Sequence, residues 1–410
     1  MRHFSDVTRF VYNWALGKRK AAYEADEPMP KSGDLIKEFR ANRPEWTQGA
    51  CSRCEESALK SLDAAYDRFF RICRGELPKP PPSHRQDGPP GFPRFHSRHR
   101  GTTPFAFWSI KTRHVEASRV RLQGLGWVRL KEQGYLPVEG AKLNRATVSE
   151  RAGRWFVSLQ VEEETEEAKP RRNRAIGVDR GITKLVACSD GTEYSNPKAL
   201  QKMERRLRRL QRKLTRQHCV VTSEKAFEGR RLGGFSPAAC NLKRKGDAMS
   251  AGALKTKARV ARLHYRITCA RSDAAHQATH RIIEHKRPAT VVLEDLNVAG
   301  MLKNGRLAKS ISDAAMSEVG RQLKYKAEWN GTEVVEADRW FASTKTCPAC
   351  GHKNDFGLGA RRPVCTECGY TGDRDLDWAA INLEALAGKP PESLNASGGE
   401  GSGLTAQAAG

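Results

Sequence analysis

The sequence is short of acid. Its 410 residues carry 47 Asp and Glu against 72 Lys and Arg, a formal net charge of +25 and a pI near 9.8. A compact chain with that much like charge repels itself, so a polyanionic partner is the natural counterweight. Solubility, or attachment to an acidic membrane surface, are blander uses of the same charge. Membrane use lacks a second signal. No lipid-anchor motif stands in the sequence, and no apolar run reaches the roughly 18 residues of a spanning helix. The opening Met1-Arg2-His3-Phe4 has no signal-peptide pattern. Internal repeats are absent too. The eleven cysteines are an odd number in a long chain, which argues against a secreted disulfide framework. Four of them sit in two close pairs near the C-terminus, the spacing of metal ligation in a reducing compartment. The expected location is therefore intracellular, in the cytoplasm, without a membrane partner.

Two or three domains fit this length, and 38% hydrophobic with 29% charged residues suits globular units with charged surfaces. The first 75 residues read as helical. Phe4, Val7, Val11 and Trp14 share one helical face, as do Ala58, Leu62, Tyr66, Phe69 and Cys73. The prolines of 77–82 close that block. Cys51 and Cys54 form a lone CxxC inside it, which reads as packing rather than metal ligation. From Gly88 the texture turns to short alternating runs. Trp155, Val157, Leu159 and Val161 alternate with polar neighbours, and Gly153 marks the turn of a hairpin with 146–148. Residues 120–122 and 127–130 are further strand candidates, and Trp108, Trp127 and Trp155 are expected in the core.

An acidic run at 162–167 followed by a basic one at 169–174 marks a boundary. Beyond it, 175–179 and 289–294 read as buried strands that end in carboxylates, and 332–335 as a third strand. Residues 201–218 carry eight Lys and Arg around a Met203, Leu207, Leu210, Leu214 seam. A second long helix has Val260, Leu263, Ile267 and Ala274 as its seam. Between them, 220–252 looks like a loop or insertion. This alternation of strand and helix indicates an α/β core. After Leu386 the chain is Gly, Ser, Ala and Pro rich, the composition of a disordered tail.

Two motifs carry chemistry. Cys347-Pro-Ala-Cys350 is followed, after fourteen residues, by Cys365-Thr-Glu-Cys368. Two such knuckles offer four thiolates to one tetrahedral Zn²⁺, and four protein ligands leave no open position, so the zinc is expected to be structural. The second motif is a set of acids: Asp179 and Glu294 at strand ends, and Asp373, Asp375 and Asp377 at a helix start. Phosphodiester hydrolysis by two Mg²⁺ needs several oxygen ligands around ions about 4 Å apart. Taken singly, each acid is more often a cap or an ion-pair partner.

The strings IGVDRGITKLVACSDG, VVLEDLNVAGM, STKTCPACGHKN with CTECGY, and DRDLDWAAINL resemble, in this order, the motifs of transposon-encoded TnpB proteins. Those are RuvC-like endonucleases related to compact type V CRISPR effectors. RFVYNWALGKRKAAYE, GFPRFHSRHR, GWVRL and RWFVSLQVE are looser matches upstream. The resemblance implies a multidomain α+β protein. A helical recognition lobe would span 1–82 and a β-rich wedge domain that binds RNA and a DNA flanking motif 83–170. An RNase-H-like (RuvC) α/β nuclease domain would follow at 171–345 and 371–386. A zinc ribbon would interrupt it at 346–370, and a disordered tail would occupy 387–410. Asp179, Glu294 and Asp375 would be the catalytic carboxylates and hold magnesium. Where the family reads Asp-x-Asn-Ala-Ala, this chain has Asp377 in place of the Asn and an additional Trp378, leaving Asp377 as a second candidate ligand. The partners implied are a guide RNA and double-stranded target DNA, the latter cut in the bacterial nucleoid. The basic helix, with Arg205, Arg206, Arg208, Arg209, Arg212 and Lys213, would contact phosphates. A guided DNA-binding protein without cleavage, and a strand-transferring transposase, share much of this logic. The chain begins almost inside the RFVYNWAL helix, where the family usually places a strand first.

Overall fold

The computed structural model describes residues 1–80, 89–97, 101–108, 110–132, 134, 141–164, 168–171, 173–221, 242–244, 247–357 and 359–387. The chain divides into two compact units, Met1–Thr165 and Glu166–Gly410, each a mixture of helices and strands. Among the described residues no helix is long and apolar enough to cross a membrane. Most of the 220–252 segment and all but the first residue of the 387–410 tail lie outside the described residues.

The first unit opens with α1 (Arg2–Glu24), α2 (Ser32–Ala41) and α3 (Ser52–Cys73). Apolar residues at helical spacing bury Phe4, Val7 and Val11 on α1, and Ala58, Leu62 and Tyr66 on α3. The α3 seam ends on Ile72 rather than on Cys73, which is exposed. The Cys51–Cys54 pair is packing: the Cys51 sulfur caps α3 by accepting the Arg53 N–H, and Cys54 is fully buried. Burial pushes the Cys54 thiol up to about 12.

The strands follow. β1 (Phe105–Trp108) is the antiparallel neighbour of a later strand, and β2 (Val115–Glu116), β3 (Arg119–Leu122) and β4 (Gly126–Arg129) make a small meander. β5 (Lys142–Arg151) pairs with β1 on one side and with β6 (Arg154–Glu162) on the other. The β5–β6 turn places both Ala152 (φ 54°) and Gly153 (φ 83°) in the left-handed region, as a two-residue hairpin turn that matches the strand twist requires. One cluster of buried side chains runs from Phe4, Leu16 and Leu62 to Phe105, Val120 and Val148. The proline run near 82 therefore divides the chain but not the core. The tryptophans correct a second expectation. Trp155 packs on the core, but Trp108 is only half-buried beneath Lys60 and Arg145, at 4.2 and 4.4 Å from its ring. Trp127 is 40% exposed on an edge strand, with the Arg119 guanidinium 4.5 Å from its ring.

The second unit is built on a five-stranded sheet. β7 (Ile176–Asp179), β8 (Lys184–Cys188) and β9 (Glu193–Ser195) form an antiparallel meander. α4 (Ala199–Gln217), the short pair β10 (Cys219–Val221) and β11 (Leu242–Arg244), and α5 (Ala251–His280) intervene. β12 (Thr290–Glu294) then returns parallel to β7. After α6 (Val298–Met301), α7 (Ala308–Ala314) and α8 (Met316–Trp329), β13 (Glu333–Ala337) lies parallel to β12, giving the order β13-β12-β7-β8-β9. Because helices cover both faces, the central strands read as continuous apolar runs. Val291 and Leu293 pack with Ala278 and Leu323 on one face, while Val292 packs with Leu383 on the other.

Leu383 belongs to the C-terminal helix, a π-helical turn Arg374–Ala380 continued by α9 (Ile381–Glu384). It lies so close to β7 that a Cβ on Gly177 would overlap the Ala380 carbonyl and meet the Glu384 amide at 2.5 Å. Only glycine fits there. The α4 seam packs Met203, Leu207 and Leu210 against Val260, Leu263 and Ile267 of α5. Asp313 fixes the start of α4 by accepting the N–H groups of Leu200 (2.9 Å) and Gln201 (3.2 Å), with Arg271 as its counter-ion at 2.9 Å.

Candidate active site and metal centre

The four cysteines come together. Their ligand atoms all lie within 4.8 Å of one another, with Cys347–Cys368 and Cys350–Cys365 sulfur pairs each at 3.6 Å. Tetrahedral zinc with sulfurs at about 2.3 Å spaces them by nearly that amount. The knuckles fold as their glycines require: Gly351 (φ 76°) and Gly369 (φ 71°) turn the chain, and their N–H groups donate to the carbonyls of Cys347 (2.9 Å) and Cys365 (3.0 Å). Burial opposes ionisation of Cys365. Backbone N–H donors from Cys368 and Glu367, together with the Asn354 side chain, outweigh it and bring the thiol down to about 6. A thiolate held ready by donors suits a metal ligand.

The carboxylates are arranged differently. Asp179 ends β7 and Glu294 ends β12, on adjacent parallel strands in which Val178 faces Leu293. Asp375 sits in the first turn of the C-terminal helix and is buried. Burial raises the Asp179 carboxyl well above the usual range, and the charges of Glu294 and Asp375 raise it further. The three acids therefore share one neighbourhood of like charge. They do not yet close on a point: among the described residues, the cysteines are the only set of three or more metal-type ligands within 4.8 Å of one another. Other groups hold them. Arg374 binds the Asp375 Oδ1 through Nε (3.0 Å) and a terminal nitrogen (2.9 Å), while Arg361 reaches Oδ2 at 3.3 Å. Ser343 donates its hydroxyl to the Glu294 carboxylate, and Arg180 donates to the Glu294 main-chain carbonyl. Carboxylate oxygens are hard donors, the type that divalent cations such as magnesium take.

The additional Trp378 has a structural consequence. Residues Arg374–Ala380 form a π-helical turn, the usual way for a helix to absorb one extra residue. Trp378 is fully buried against Phe356 and Tyr370, in one cluster with Cys347 and Cys365, so it joins the knuckles to the helix that bears Asp375. Asp377 is turned elsewhere. Its Oδ2 accepts the Asp373 N–H at 2.6 Å, while the Asp373 Oδ1 accepts the N–H groups of Asp375 (2.9 Å) and Leu376 (3.1 Å). Asp373 also pairs with Lys184 of β8 at 3.1 Å. The acids at 373 and 377 thus cap the helix, and Asp375 is the one whose charge bears on Asp179.

Sequence reasoning missed Ser343, Arg361, Arg374 and Gly177. Nothing in the spacing of Ser343 or Arg361 marks them, because the loops that deliver them have no periodicity. The basic helix lies as expected on the surface: Arg205, Arg206, Arg208, Arg209, Arg212 and Lys213 are all exposed, with Arg208 paired to Glu204.

Comparison with known proteins bears on the whole chain. A family described as "Probable transposase" matches residues 158–305, one described as "Cas12f1-like, TNB domain" matches 317–383, and a "Helix-turn-helix domain" matches 1–28. A Streptomyces pristinaespiralis protein named "Putative RNA-guided DNA endonuclease" is 34% identical over 388 residues, covering 92% of this chain and 83% of its own. InsQ of Escherichia coli K12, named in the same terms, is 29% identical over 405 residues, covering 94% and 88%. The Cas12f1 chain solved in complex with guide RNA and target DNA covers 95% of this chain and 82% of its own. It does so at 13% identity and a TM-score of 0.48, too loose a likeness to carry argument. With its acids and cysteine pairs in the order of that family's motifs and a relative matched over nine-tenths of its length, the chain belongs to the TnpB family of transposon-encoded proteins.

Proposed function

We propose that this protein is an RNA-guided DNA endonuclease. Its second unit acts as an RNase-H-like (RuvC) nuclease, with Asp179, Glu294 and Asp375 as the catalytic carboxylates. The observation that carries this reading is geometric: Asp179 and Glu294 end adjacent parallel strands, and the buried Asp375 opens the helix packed against β7, so that the three charges bear on one another. Such crowding of like charge is costly for stability and suits a site that takes up cations. Bound Mg²⁺, two ions in this reading, supplies Lewis acidity and lowers the pKa of an attacking water. The chain's own residues do the rest. Gly177 lets the helix that carries Asp375 lie against β7, and Arg180 fixes the end of β12 from behind. Arg374 and Arg361 neutralise Asp375, which together with Asp179 and Glu294 would hold the cation.

The cysteine quartet holds a structural zinc ion in this reading, since thiolates select such metals and leave no coordination position open. The helices of the first unit serve as a recognition lobe, its strands as a wedge that grips guide RNA and a short flanking DNA motif. The cations of α4 neutralise backbone phosphates, so affinity falls steeply with salt. Base pairing to the guide reads the target sequence. The test is cleavage of a target plasmid by protein purified with its RNA. Asp179→Ala should abolish Mg²⁺-dependent cutting while RNA binding persists; cutting that survives in this variant removes Asp179 from the reaction. The ion pairs already on Asp375 favour a second reading, a guided DNA-binding protein that does not cut. Tight target binding with no cleavage at saturating Mg²⁺ selects it.

A further inference from the structure

The second unit carries a ligand pair that plays no part in the nuclease reading. α5 does not stop at His280 but runs into a π-helical turn, Arg281–His285, closed by a Lys286 N–H to Arg281 carbonyl bond of 3.1 Å. In an α-helix, residues five apart point about 140° from each other. Bonding from i to i+5 instead stacks them one turn apart. His280 and His285 are therefore neighbours, with ring centroids 5.0 Å apart at 75° and their Nε2 atoms 3.3 Å from each other.

The distance and the Glu284 contact both point to a ligand. Two imidazole nitrogens bound to one zinc-like ion at about 2.0–2.1 Å, near the tetrahedral angle, are separated by about 3.3 Å. The Glu284 carboxylate lies 2.9 Å from His280 Nδ1. A carboxylate on Nδ1 is the orienting contact found behind most metal-bound histidines, and it leaves Nε2 to the ligand side, facing His285. Both rings are exposed to solvent, which leaves room for water to complete the coordination. Of the nearby cations, Lys286 is turned onto Asp190 at 2.6 Å. The pair stands before β12, about 16 Å of strand away from Glu294, so it is separate from the carboxylate site.

We propose that His280 and His285, oriented by Glu284, form a surface site for a transition-metal dication of the zinc, copper or nickel class. The ion would replace the hydrogen bond between the two rings and staple the π-helical turn that leads into β12. Zinc-replete full-length protein, titrated with Zn²⁺ by calorimetry under a large excess of Mg²⁺, should take up one further equivalent. His280→Ala and His285→Ala should each lose that equivalent, and Glu284→Gln should weaken it by about tenfold. Ni²⁺ should raise the melting temperature of the parent protein but not of the alanine variants. Equal uptake by parent and both alanine variants overturns the proposal, as does a Ni²⁺ shift that the variants retain. DNA cleavage is not the readout, so the outcome stands apart from the nuclease reading.

Discussion

The cysteine quartet and the carboxylate trio are both candidate ligand sets, and they are folded to opposite degrees of readiness. The sulfurs stand at 3.6 Å, already at the spacing of a metal tetrahedron. The carboxylates share a neighbourhood but are held by Arg374, Arg361 and Ser343. Charge explains the difference. Thiols can hydrogen-bond to one another around a single ready thiolate such as Cys365, and the rest ionise when a metal arrives. Carboxylates are ionised at neutral pH unless forced otherwise, so an unmetallated cluster must either take up protons or borrow counter-ions from the chain. Here Asp179 is pushed towards protonation and Asp375 borrows arginines.

If the quartet is the structural partner, its loss should be the larger event. Cys365→Ser should release zinc and unfold the two knuckles, because structural zinc binding is worth on the order of 10 kcal/mol of local folding. Through Trp378, packed on Phe356 and Tyr370, the helix of Asp375 should loosen as well. Zinc content and hydrogen exchange across 343–383 are the measurements. A variant that keeps its protection in 374–383 without zinc would break the link between the two sites.

Next in size is the contact that lets the carboxylate helix reach the sheet. Gly177→Ala places a methyl group against the Ala380 carbonyl and Glu384 amide, both backbone atoms that cannot swing aside. Overpacking of this kind costs about 3 kcal/mol. Chemical denaturation should register that loss in the second unit, and cleavage should fall with it. Unchanged stability would mean that the helix does not lie on β7 in solution.

The pH dependence sharpens the comparison at its acidic half. Asp179 has a raised carboxyl, so its protonated form is the one the fold favours. Its contribution is fully present below the unfolded pKa and is lost as pH rises through the folded one. In Mg²⁺-free buffer, Asp179→Asn should therefore melt higher than the parent at pH 8. That advantage should shrink towards pH 4. A constant difference across the range would separate the effect from ionisation.

Much of this was legible before the structure. The strands that end in Asp179 and Glu294, the CxxC pairs and the two long helices, the first of them basic, follow from period, spacing and charge, all local properties of the chain. What the sequence concealed is contact between distant segments. Gly177 looks like one more small residue in an apolar strand until a helix two hundred residues later lies on it. The strands of the first unit look like a separate domain until Phe105 and Val148 pack with Phe4 and Leu62. Asp377 stays a second candidate beside Asp375 in the sequence because spacing does not say where a π-helical turn will aim them.

The smallest and most discriminating change lies between the two sites. Arg361 comes from the loop joining the knuckles, and its two terminal nitrogens reach Asp375 Oδ2 at 3.3 Å and Thr183 Oγ1 at 2.9 Å. Its side chain is 57% exposed, so solvent screens the pair and its removal should cost no more than about 1 kcal/mol of stability. The effect on the acids should be larger than the effect on the fold. With Arg361→Ala, Asp375 loses one of its two cations, and the remaining charge should attract Mg²⁺ more strongly. Half-maximal cleavage should then occur at severalfold lower Mg²⁺, with kcat little changed. A fall in kcat at unaltered Mg²⁺ requirement would assign the guanidinium to the DNA phosphate instead, and the carboxylates would not be waiting for it to leave.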